Sequence, residues 1–177
     1  MSINAHIKYI ASLSKKQGID DLGCGNLQRA YEIIGTDSTI RIHGFDKEYI
    51  QTDHKAIKTY QVDLSHGKFE SKSKIALLAW PINRPSSAGG PKWESILPQY
   101  TQVIYIGKNT DGMCCGSLEL WRYLITLNVQ AVIPDRQETL IHYTTAPRVS
   151  SKTLIEEQSG IAAWLGGNIV AYVEDTI

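Results

Sequence analysis

Apolar positions along the chain follow two periods. Ile3, Ile7 and Ile10 recur at helical spacing and predict a short amphipathic helix, closed by Lys15, Lys16 and Gly18. A short strand then enters the turn Asp21-Leu22-Gly23-Cys24-Gly25-Asn26. Beyond it Leu27, Ala30, Tyr31 and Ile34 stand at i, i+3, i+4 and i+7, a second helix with Asn26 as its N-cap and Gly35 as its stop. Strands are predicted over Ile40 to Phe45, ending at Asp46, and over Thr59 to Val62, ending at Asp63. Ile75 to Trp80 (IALLAW) and Val103 to Ile106 (VIYI) are continuous apolar runs rather than alternating ones, as expected of strands covered by helices on both faces. Leu118, Trp121, Leu124 and Ile125 form another helical face, with Glu119 near its N-terminal dipole. Strands alternating with helices specify an α/β fold, a doubly wound and mostly parallel sheet.

The last 50 or so residues are read as strands over Val129 to Ile133, Leu140 to Thr145 and Ile169 to Val173, with a helix over Leu154 to Leu165. A strand pair closing one edge of the sheet, antiparallel and near the C-terminus, accounts for them. Residues 81–98 depart in composition: they hold Pro81, Pro85, Pro91 and Pro98, four of the six prolines, with Ser86, Ser87, Gly89 and Gly90. A loop this long after a central strand is either a lid over a ligand or substrate, or plain surface. Its place favours the former, because ligands of open α/β sheets bind outside the carboxyl ends of the strands.

Composition narrows the class. A chain of 177 residues, 42% hydrophobic and 20% charged, is read as one domain over 1–177 with a full core. Lysine plus arginine is 18 and aspartate plus glutamate is 18, so no net charge draws it towards nucleic acid or an anionic membrane. No apolar run approaches the roughly 20 residues of a membrane helix, and the N-terminus does not read as a signal peptide. Cys24, Cys114 and Cys115 make neither a disulfide framework nor a zinc pattern. A cytoplasmic, soluble protein with no metal is the expectation.

The glycine turn carries the chemistry. Gly23 and Gly25 let backbone pass close under a nucleotide, and the helix that follows presents unpaired N–H groups. In a dinucleotide fingerprint the third glycine would stand at Gln28, and Asp21 would repel a pyrophosphate held at the same turn. A nicotinamide-dependent oxidoreductase is therefore disfavoured. Asp21 suits a ligand that carries an ammonium group.

Asp21-Leu22-Gly23-Cys24-Gly25-Asn26 (DLGCGN) resembles the first motif of the class I, Rossmann-like S-adenosylmethionine-dependent methyltransferases. By order and spacing the resemblance extends over roughly residues 16–128. It implies that Asp21, Gly23, Cys24, Gly25 and Asn26 hold the methionine half of S-adenosylmethionine. It implies that Asp46, 21 residues beyond Gly25, binds the ribose hydroxyls, with Lys47 beside it. A carboxylate can accept both hydroxyl hydrogen bonds at once. Asp63 and Leu64 match the adenine site, and Trp80 the position beside the reacting methyl group. Leu27 replaces the third small residue of the turn, and Asp20 stands where the first strand is usually apolar.

After the fourth strand, Trp80-Pro81-Ile82-Asn83 differs from the Asp/Asn-Pro-Pro-aromatic motif of enzymes that methylate amino groups of DNA. No Pro-Cys pair supports cytosine C5 chemistry either. The expected acceptor is a small molecule, or a substrate presented by a partner protein, rather than a DNA sequence. Pro81, Asn83 and Asp111 are the candidate substrate contacts, and no catalytic residue is assigned. The alternative is a non-catalytic S-adenosylmethionine-binding or scaffold subunit.

Overall fold

The computed structural model describes residues 4–15, 17–108, 116–135 and 138–145. The first helix is α1 (Ala5–Ser14), capped by Asn4, whose side chain accepts from His6 N. It is followed by β1 (Ile19–Leu22), α2 (Gln28–Thr36), β2 (Ile42–Asp46) and β3 (Ile57–Gln61). The chain then forms β4 (Ile75–Ala79), the short α3 (Trp93–Ile96), β5 (Gln102–Lys108), α4 (Leu118–Leu124), β6 (Asn128–Pro134) and β7 (Glu138–Thr144). The seven strands lie in the order β3-β2-β1-β4-β5-β7-β6. β1 to β5 are parallel, and β7 is inserted antiparallel between β5 and the edge strand β6. The predicted mostly parallel sheet with an antiparallel edge is thus the observed one. The edge pair is a hairpin of β6 and β7. The predicted Leu154–Leu165 helix and Ile169–Val173 strand, with Asp111, Cys114 and Cys115, lie outside the described residues.

The continuous apolar runs serve two cores. Ile75, Leu77, Ile104 and Ile106 face α1 and α2, where Ile7, Ile10, Ala30 and Ile33 pack. Ala76, Leu78, Val103 and Tyr105 face the other layer, against Trp93, Ile96, Leu97, Leu120, Trp121 and Leu124. Alternation across the pleat sends successive residues to opposite faces, so a strand covered on both sides shows no polar period. No helix joins β2 to β3.

Three local expectations are corrected. The residue at the N-cap of α2 is Leu27, not Asn26; it sits in the left-handed region at φ 62°. Asn26 still contributes, its Oδ1 accepting from Gln28 N at 3.1 Å. Gly35 lies inside the last turn of α2, which ends at Thr36 with Asp37 as its C-cap. Residues 81–98 are not a plain loop: Ser86–Ala88 and Leu97–Gln99 are turns of 3-10 helix, and α3 lies between them. Trp93, Ile96 and Leu97 in this stretch are core residues, so its second half is the crossover to β5.

Candidate functional site

Because β2 and β3 lie to one side of β1 and β4 and β5 to the other, the chain reverses direction between β1 and β4. The carboxyl ends of these two strands therefore open a crevice. Gly23 and Gly25 turn the chain there with φ of 80° and 51°. Gly23 N and Cys24 N donate to Phe45 O at 2.7 and 3.2 Å, and Gly25 N donates to Asp46 Oδ2 at 3.0 Å. These bonds hold the turn against the end of β2. Gly44 makes that approach possible, since a Cβ there would stand 2.9 Å from Cys24 Sγ and 3.1 Å from a Leu27 methyl. Leu27, where the turn would otherwise carry a third small residue, is buried over this bare backbone.

The two aspartates inside β1 have different fates. Asp20 faces the α3/α4 layer and is fully buried. It accepts from His43 Nδ1 at 2.9 Å, Lys72 N at 2.7 Å and the Tyr100 hydroxyl at 2.9 Å. Burial would raise its pKa, but those donors together hold it below the ordinary carboxylate value. An acidic residue in an otherwise apolar strand position is here a satisfied structural group. Asp21 faces the α2 side, is 2% exposed, and meets no hydrogen-bond donor among the described residues. Burial, with the neighbouring Asp46 carboxylate, pushes its pKa up to about 7, against the opposing pull of Arg29.

Two cavities meet at this crevice. One, of about 280 Å³, is lined by Asp21, Gly23, Cys24, Gly25, Asn26, Gln28, Arg29, Ala79 and Trp80. The other, of about 240 Å³, is bordered by Asp46, Lys47, Asp63, Leu64 and Pro81, with Ile82, Arg84, Pro91 and Trp93 closing it. Gly23, Ala79 and Trp80 belong to both. All ten residues expected around the cofactor therefore border one or other cavity. Pro81 joins them, whereas Asn83 does not; its neighbours Ile82 and Arg84 do. Asp63 also caps the following 3-10 turn, accepting from Ser65 N at 2.8 Å, and that bonding with Ser65 holds its pKa low. Burial, with Asp21 and Asp46 nearby, pushes the Cys24 thiol up to about 12, which keeps it protonated at neutral pH.

Sequence reasoning missed a further group. Glu138, at the start of β7, accepts from Arg29 Nη2 at 2.6 Å on each oxygen, from Trp80 Nε1 at 2.9 Å and from His6 Nδ1 at 3.3 Å. Burial opposes its ionisation, yet His6, Arg29 and Trp80 overcome this and hold the carboxyl at about 2. Arg29 and Glu138 are 109 residues apart, so no local pattern could have joined them. Among the described residues no cluster suits a metal ion, and no helix is long and apolar enough to cross a membrane.

No family model matches the chain, and no curated protein matches it in sequence. Solved structures do. The pyocyanin biosynthetic protein PhzM superposes with a TM-score of 0.59 at 15% identity, over 80% of this chain and 54% of that one. The 1,6-didemethyltoxoflavin-N1-methyltransferase of Burkholderia thailandensis, solved with 1,6-didemethyltoxoflavin and S-adenosylhomocysteine, gives 0.56 at 11% identity, over 79% and 78%. An O-methyltransferase family 2 protein of Planctomyces limnophilus, in complex with apigenin, gives 0.55 at 17%, over 73% and 50%. The chain spans about half the length of the first and third. The fold is like that of these methyltransferases, and the crevice lies outside the carboxyl ends of the strands, where open α/β sheets bind ligands.

Proposed function

We propose that this chain binds S-adenosylmethionine and transfers its methyl group to a small molecule, or to a substrate presented by a partner protein. One observation carries the reading: Asp21 is a buried carboxylate that meets no hydrogen-bond donor among the described residues, beside two glycines in a cavity, and such a group calls for a cationic donor. The ammonium of the methionine half would supply it. Asp46 would take the ribose hydroxyls, exchanging its bond from Gly25 N for them, with Lys47 alongside. Asp63 and Leu64 would border the adenine, and Cys24 and Asn26 the amino-acid half. Pro81 and Arg84 line the same cavity as Asp63 and would contact the acceptor.

The cofactor, when bound, supplies an electrophilic methyl group on a sulfonium. The tasks left to the chain are to hold two ligands in line and exclude water. A general base is needed only where the acceptor loses a proton.

Calorimetric titration with S-adenosylhomocysteine, with NADH as the control ligand, tests the cofactor class. Micromolar affinity for the first and none for the second is the expected outcome; the reverse would defeat the reading. Asp46→Ala should weaken S-adenosylhomocysteine at least tenfold, with only the small loss of melting temperature that the exposed bonds from Gly25 N and Glu48 N account for. The second reading, a non-catalytic binding or scaffold subunit, draws on Leu27 in the glycine turn and on Trp80-Pro81-Ile82-Asn83, which differs from the motif of enzymes that methylate amino groups of DNA. A screen of methyl acceptors separates the two.

A further inference from the structure

Trp80 is conformationally out of place unless it does something. Among the described residues only Leu27 and Trp80 combine a side chain with a positive φ, 62° and 56°. For a bulky residue that backbone is an outlier, one that persists where the surroundings enforce it and that gathers at ligand clamps. Leu27 is buried, and packing accounts for it. Trp80 is 40% exposed, so core packing does not.

What enforces its pose is polar. The backbone N–H of Trp80 donates to Ile106 O at 2.8 Å, and Nε1 donates to Glu138 Oε2 at 2.9 Å. Glu138 is itself gripped by Arg29 and His6. The indole is thus tethered by its N–H edge while ring surface stays uncovered. A carboxylate accepting from Nε1 also enriches the electron density of the ring faces.

Its location names the ligand atom. On the cofactor reading above, the amino-acid half occupies the cavity of Asp21 and the nucleoside half that of Asp46 and Asp63. The sulfur joins the two halves, so it must cross the junction that the cavities share. That junction is bordered by Gly23, Ala79 and Trp80, and Trp80 alone of these has more than a methyl group to offer.

We infer that Trp80 is a sulfonium-recognition residue: its electron-rich indole, anchored by Glu138, holds the positively charged sulfur of S-adenosylmethionine and so favours the cofactor over its neutral product. The attraction of a cation to an aromatic face acts on S-adenosylmethionine and is lost when the sulfur becomes the thioether of S-adenosylhomocysteine. Product release and cofactor reloading are then biased in the forward direction by one side chain.

The test compares dissociation constants for S-adenosylmethionine and S-adenosylhomocysteine, so it needs no methyl acceptor. A desolvated contact of this kind is worth about threefold to thirtyfold in affinity. Trp80→Leu should lose that factor for S-adenosylmethionine while its affinity for S-adenosylhomocysteine moves less than about threefold. Trp80→Phe, which keeps an aromatic face, should retain part of the preference. Fluorinated tryptophan placed at position 80 keeps shape and N–H but withdraws ring density, and should lower the preference stepwise with fluorine count; this series serves if Trp80→Leu does not fold. An unchanged ratio of the two constants in Trp80→Leu or across the fluorinated series overturns the inference and leaves the cofactor reading intact. A parent protein that binds neither ligand overturns both.

Discussion

Asp21 carries the sharpest consequence at the scale of the single residue. Burial, with the Asp46 carboxylate nearby, pushes its carboxyl up to about 7, and an ammonium ligand binds the ionised form. Affinity for S-adenosylhomocysteine should therefore fall roughly tenfold per pH unit below 7 and level off above it. A flat affinity between pH 5.5 and 7 would remove Asp21 from the site. The same shift has a stability sign. An ordinary carboxylate in the unfolded chain ionises near 3.9, so the native state holds a proton the unfolded state has lost. Stability declines from about pH 4 to pH 7 and is constant beyond, a loss on the order of 4 kcal/mol at most. Asp21→Asn escapes it. That variant should melt higher than the parent at pH 8, equal it at pH 4, and bind S-adenosylhomocysteine poorly at both. Asp20, one position earlier, has the same chemistry in sequence and the opposite environment: three donors make it a structural anchor.

At the scale of the element, the β1–α2 turn depends on a strand that is distant in sequence. Gly44 in β2 leaves the space that Cys24 and Leu27 fill. Gly44→Ala should destabilise the chain by about 1–3 kcal/mol through overpacking and push the turn away from Asp46. S-adenosylhomocysteine affinity should fall with it. Gly35 is the contrasting position, because a Cβ added there meets nothing within 4 Å. Gly35→Ala should raise stability by about 0.5–1 kcal/mol, the helix-propensity difference, and leave binding alone. Urea unfolding of the two variants beside the parent decides it; equal effects would show that the turn does not rest on β2. Leu27 was legible as a departure from the glycine pattern. Its compensation was not, since nothing near Leu27 in sequence points to Gly44.

The Glu138 network operates at the scale of the whole molecule. It ties α1 through His6, α2 through Arg29, the end of β4 through Trp80, and β7 through its own backbone. Its pKa of about 2 lies below that of an unfolded glutamate. The corresponding stability is full above about pH 4.5 and lost as pH falls towards 2, a contribution of about 3 kcal/mol. Glu138→Ala should cost about that much at pH 7, measured by denaturant unfolding, because Arg29 and His6 lose their carboxylate. The gap to the parent should narrow as the pH is lowered to 3. A gap that stays constant over this range would mean that the cost arises from lost packing instead of charge.

Along this chain, what the sequence determined was periodic and local. The continuous runs at Ile75 and Val103 announced a sheet covered on both faces, and the DLGCGN turn announced the crevice, because hydrophobic period and backbone freedom are properties of neighbouring residues. Asp46 and Asp63 were legible for the same reason, as polar residues ending apolar strands. The tertiary structure alone decided the rest. Only the pleat of β1 separated Asp20 from Asp21, sending one among donors and leaving the other bare. Only the insertion of β7 beside β5 carried Glu138 to Arg29 and Trp80. Burial and charge pairing depend on which distant groups arrive at a point in space, and chain order does not encode that arrival locally.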